Sequence, residues 1–163
     1  MLALFLPPHG RAQSAAELMV MLEDAADELL RLQECAAGIA AAPETTVFCP
    51  QQLRVLRDVL DGGREAIGAR MEILGGHRPA TNLSAGQRAQ RKIRSRALMR
   101  AYGKCSHQLC RVQQEARRIS DGTTAAMLSD LILRMEKQLW LLDAQSQQRA
   151  PATRRVVSFF FSC

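Results

Sequence analysis

Between Glu72 and Glu115 the chain has no acidic residue, yet Arg78, Arg88, Arg91, Lys92, Arg94, Arg96, Arg100, Lys104 and Arg111 all fall there. A cluster of one sign creates a local potential that phosphates find, so the chemistry on offer is electrostatic recognition of a nucleic-acid backbone. Arg88, Arg91, Lys92, Arg94, Arg96, Arg100 and Lys104, joined by Arg154 and Arg155 near the carboxyl end, are the candidate DNA-binding residues. Tyr102 is the one aromatic side chain interleaved with this strip, which argues for backbone contact and against stacking on single-stranded bases. The same arginines would equally suit acidic helices of neighbouring subunits. The first 50 residues run the other way, with seven acids against Arg11 and Arg31, inside a net charge of +6.

Other reactive types are sparse. The histidines are His9, His77 and His107, and no Glu-x-x-His pair occurs, so the common carboxylate-and-imidazole metal arrangement of helical bundles is absent. Cysteines 35, 49, 105, 110 and 163 form no Cys-x-x-Cys and no Cys/His ligand spacing, and their odd number argues against a complete disulfide framework. Cys35 and Cys105 read as small core residues.

The elements that must position these groups are helical. The chain has 163 residues, 47% apolar and 23% charged, with only 4% aromatic, and it is rich in Ala, Leu, Met, Arg and Gln. One packed all-α domain is expected, because straight side chains lose little rotamer freedom in a helix. No stretch reaches the roughly 18 apolar residues that cross a bilayer, and "MLALFLPP" lacks the basic start of a signal peptide. A cytoplasmic protein with no membrane partner is the expectation.

Four apolar stripes follow. Leu18, Leu22, Ala25, Leu29, Leu32, Ala36 and Ile39 predict a helix from about Ser14 to Ala41, opened by a Ser14/Glu17 capping box. Leu53, Leu56, Leu60, Ile67, Met71 and Leu74 predict a second, entered through Pro50 and ended by Gly75 and Gly76. Gly62 and Gly63, each costing about 1 kcal/mol relative to Ala, should make it the weakest or a kinked one. Leu98, Tyr102, Cys105, Leu109, Val112, Ala116 and Ile119 make a third stripe. After "SDGTT", Leu128, Leu131, Met135, Leu139 and Leu142 make a fourth. The resulting bundle spans 14–148, between tails 1–13 and 149–163. The connection between the second and third stripes is about 20 residues, long enough for a crossover, with Ser84 capping a short helix "SAGQRAQRKI". One long crossover between two helical hairpins is the ferritin-like four-helix arrangement.

The stretch "DGTTAAMLSDLILRMEKQLWLLDA", through Asp121, Thr124, Leu128, Glu136, Lys137, Trp140 and Leu142, resembles the last helix of the Dps family of ferritin-like proteins. The similarity covers the last 60 to 70 structured residues, roughly, and the first half only by length and helix order. It implies a homo-oligomeric hollow shell, a dodecamer in the family, that oxidises and stores iron and often binds DNA. The family's iron ligands are imidazoles and carboxylates of the first two helices, and no histidine of this chain stands at a matching position. In one alignment Glu65 replaces an Asp ligand, while Gly38, Pro50, Arg54 and Ala69 fill the others. In the other, Glu23 and Glu34 replace the Asp ligands, with Met19 and Gly38 in place of a His and a Glu. Ferroxidase activity is then weakened or lost, and iron would fall at a relocated site among Glu23, Glu34, Asp61 and Glu65, with Asp27 and Asp58; the preferred reading of these acids is a solvated helix face or subunit contacts. A helical scaffold without a metal role is the rival reading, and a copy damaged by a reading-frame change in its first half is a third.

Overall fold

The computed structural model describes residues 8–41, 48–77 and 95–149, with side chains described from Ser14 and, in the last helix, as far as Gln145. It contains α1 (Pro8–Ala40), α2 (Pro50–Ile73), α3 (Ser95–Arg118) and α4 (Gly122–Arg149), and no strand among those residues. The crossover helix expected at Ser84 and the tail beyond Arg149 lie outside the described residues.

Each helix buries the stripe its sequence carries. Leu18, Leu22, Ala25, Leu29, Leu32, Ala36 and Ile39 of α1 are buried, as are Leu53, Leu56, Leu60, Ile67 and Met71 of α2. From α3 come Leu98, Tyr102, Cys105, Leu109, Val112 and Ala116, and from α4 Leu128, Leu131, Met135 and Leu142. Leu74, Ile119 and Leu139 are partly buried against this core, as is Cys35.

α1 packs on α2 and α3, and α4 packs on the same two, so the pairs α1/α4 and α2/α3 lie across the diagonals. Directions follow from which residues meet. Gly76 lies against Met19 and Asp61 against Gln33, so α1 and α2 are antiparallel. Glu17 acts on Arg118 and Glu28 on Cys105, so α1 and α3 are antiparallel as well. Arg70 bonds Thr124 while Gly63 meets Leu131, and Gln113 bonds Ser129 while Tyr102 feels Glu136. α4 thus opposes both α2 and α3, and the order of directions is up, down, down, up. The end of α2 and the start of α3 lie at opposite ends of the bundle. A helix of 24 residues is about 36 Å long, and the intervening chain, at most ~3.3 to 3.6 Å per residue, reaches that distance with room to spare.

One expectation is corrected. α1 begins at Pro8, so Ser14 lies inside the helix and is not its N-cap, and residues 8–13 are helical. Proline suits a first helical position, and nothing between Pro8 and Ser14 breaks a helix. α2 runs through Gly62 and Gly63 without interruption. A Cβ on Gly63 would stand 2.6 Å from Leu131 Cδ1, whereas one on Gly62 would meet nothing within 4 Å. Gly63 is there because α4 passes close by.

The turn between α3 and α4 is held by one residue. Ser120 takes φ 64°, and Asp121 N–H donates to the Ala116 carbonyl (2.8 Å) while Ser120 N–H donates to that of Arg117 (3.1 Å), closing α3 with a Schellman motif. Asp121 then caps α4, accepting from the Thr124 backbone N–H at 3.1 Å and from its hydroxyl. Arg70 of α2 donates to Asp121 at 2.8 Å and to the Thr124 hydroxyl at 2.7 Å. Burial is the largest influence on the Asp121 carboxyl and favours its neutral form, but these donors and the Arg70 charge together hold it below its ordinary range.

Two outcomes follow. Gly62→Ala should raise stability by about 1 kcal/mol, and Gly63→Ala should lower it, because overpacking at Leu131 costs about 1 to 3 kcal/mol; urea melts of the two variants check both signs. Asp121→Asn should cost about 2 to 4 kcal/mol at neutral pH, since it leaves Arg70 without its counter-charge. A carboxyl with a lowered folded pKa stabilises fully above its ordinary value of 3.8, and that stability is lost as pH falls through the folded value. Melts between about pH 6 and pH 2 should therefore show the wild type losing its advantage over Asp121→Asn on acidification.

Candidate functional site

The acids singled out in the sequence are carried by two adjacent helices. Glu23, Asp27 and Glu34 stand exposed on α1, and Asp58, Asp61 and Glu65 stand exposed on α2. Their helices are held together beneath them by small and aliphatic residues, which keeps the backbones close but leaves the carboxylates in water. Asp61 accepts a 2.7 Å hydrogen bond from the Gln33 amide, whose own carbonyl oxygen is buried without a partner in the chain. Among the described residues, no three His, Cys, Asp or Glu side chains come together as a set that could hold a metal ion. His77 is exposed beyond the end of α2, and His107, exposed on α3, shares a groove with Asp27 without completing a set of three such ligands. Among the described residues, the acids of the iron reading are therefore separate carboxylates and not a converging set.

The basic strip is seen in part. Arg100 and Lys104 are exposed on α3, and Arg96 lies in its first turn. Steps of four and three from Arg100 through Lys104 and His107 to Arg111 put all four on one outward line of the helix. Arg88, Arg91, Lys92, Arg94, Arg154 and Arg155 lie outside the described residues.

The structure adds a feature that residue spacing did not show. Asp24, Asp27, Glu28 and Arg31 of α1 and Lys104, His107 and Gln108 of α3 line an open groove of about 340 Å³. Arg31 pairs with Glu28 along α1. The acidic side of α1 thus runs beside the basic side of α3 in the same chain, and part of the potential of Lys104 is offset there. Helical spacing alone places Asp24 and Glu28 on one side of α1. That this side faces α3 depends on the tertiary arrangement.

The thiols of Cys35 and Cys105 are held in their neutral form. Burial, followed by the charge of Glu28, pushes the Cys105 thiol up to about 12, and burial with Glu34 raises that of Cys35. A thiol held in its neutral form is a poor nucleophile and a poor ligand. Burial, with Glu136 and Cys105, likewise keeps the Tyr102 phenol neutral. Cys110 takes part in a disulfide.

No helix of the described residues is long and apolar enough to cross a membrane. Comparison with family models, with curated proteins and with solved structures gives no match to this chain.

Proposed function

We propose that this chain is a ferritin-type subunit of the Dps kind, working in a homo-oligomeric assembly that sequesters iron and shields DNA, with ferroxidase activity weakened or lost. The observation that carries the reading is the direction of the helices. α1, α2 and α4 are joined through α3 in the order up, down, down, up, with the long connection between two helical hairpins, and the stretch that resembles the family supplies both α4 and its Asp121 cap. Iron in this reading is cargo. The separate carboxylates of α1 and α2 would attract ferrous ions weakly, and no oxidation step is assigned to them.

DNA would be held by its backbone along the outward line of α3, in the cytoplasm, as a response to stress. A second reading, a helical interaction scaffold without a metal role, is favoured by the scattered acids and by Leu133 and Trp140, which stand 65% and 69% exposed one heptad apart on α4.

Light scattering behind a sizing column, then aerobic ferrous loading of the same peak, separates the two. The proposal expects an assembly of many chains that retains ferric iron slowly. A dimer or monomer that retains none would leave the scaffold reading. For DNA, the double variant Arg100→Gln, Lys104→Gln should reduce the log–log salt slope of binding by about 2, while retention at about 0.5 M salt would remove the electrostatic account.

A further inference from the structure

The apolar residues of α2 lie on two lines: the bundle buries one of them, and of the other only Val59 packs against the core. Leu53, Leu56, Leu60, Ile67 and Met71 face inward and are buried. Val55, Val59, Gly62, Ala66, Ala69 and Ile73 follow one another in steps of four and three on the other side, which is the spacing of a helix-packing seam. Ile73 is 73% exposed and Val55 37%, Ala69 is exposed, and Gly62 has open space beside it. Val59 and Ala66 are half-buried.

We propose that this seam is the contact face for a second copy of the chain, two α2 helices packing antiparallel about a two-fold axis. The line is self-complementary, as such a contact requires. Turned end for end, it sets Val55 against Ile73, Val59 against Ala69 and Gly62 against Ala66. The ends are bulky and the middle is small, so two backbones can cross closely at the centre while the larger side chains fill the space where the helices diverge.

Charge complementarity points to the same occupant. Arg54 and Glu72 are exposed on one flank of the seam, about five turns or roughly 27 Å apart, too far to pair within a chain. Among the described residues, neither has an ion-pair partner. Antiparallel pairing brings Arg54 of one copy beside Glu72 of the second copy, and the two-fold axis does so twice. Asp58, Asp61 and Glu65 lie nearer the centre of the same flank, and their like charges across the axis oppose the contact and weaken it. The seam deepens the assembly half of the function proposed above and is independent of its iron half.

Sedimentation velocity of the full chain over a range of concentrations tests it. The wild type should self-associate. Ile73→Glu, at an exposed position, should keep the helical circular-dichroism spectrum and weaken association by about tenfold or more. Arg54→Glu and Glu72→Arg should each weaken it several-fold, and the two together should restore it, a recovery that only a second copy provides. A wild type that stays monomeric throughout would overturn both the seam and the assembly reading. Undiminished association of Ile73→Glu, with no recovery in the charge swap, would overturn the seam alone.

Discussion

Three of the four helices meet at the carboxylate of Asp121. Its backbone N–H closes α3, its side chain opens α4, and Arg70 reaches it from α2. A half-buried charge is a cost unless it is fully hydrogen-bonded, and here the Thr124 backbone, the Thr124 hydroxyl and a guanidinium together outweigh that cost. The consequence is geometric. A helix whose first turn is pinned has its rotation set, so Leu128, Leu131, Met135 and Leu142 point inward and Leu133 and Trp140 point to solvent. The single tryptophan of the chain lies off the buried stripe and stands in solvent.

How far the sequence anticipates this differs between levels. The stripes were legible because burial in a bundle repeats with the helical period, and nearly every stripe residue is buried. The start of α1 was not, because Ser14 and Glu17 look like a cap whether or not helix precedes them, and only the turns from Pro8 onward decide it. Glycine was misread for a related reason. Propensity assigns Gly62 and Gly63 the same cost, while the structure assigns them different neighbours.

The candidate site was less legible still. Counting acids and bases along the chain separates an acidic first third from a basic middle. It does not reveal that α1 and α3 pack side by side, with Asp24, Asp27 and Glu28 across a groove from Lys104 and His107. Residues some 80 positions apart in sequence thereby moderate each other's potential, and part of that of Lys104 is offset. The acids of the proposed iron reading are likewise divided by the fold. Asp27 turns toward α3, while Asp61 is bonded to Gln33 at the junction of α1 and α2. A metal centre needs convergent donors, and among the described residues no three of these come together.

The glycine pair shows how one short stretch can serve two surfaces. Consecutive residues on a helix point about 100° apart. Gly63 therefore turns to α4, where the tip of Leu131 occupies the space a methyl group would take, while Gly62 turns away from the bundle to the middle of the second apolar line. An alanine at both positions would be the better helix former, so propensity works against the pair. At Gly63 the gain from close packing of α2 on α4 is visible within the chain. At Gly62 nothing among the described residues gains from the missing side chain, and the adjacent Ala66 and Ala69 are small on the same line. Small residues facing water bring no stability of their own, which is why the compensating contact is sought outside the single chain, at a crossing of two such helices.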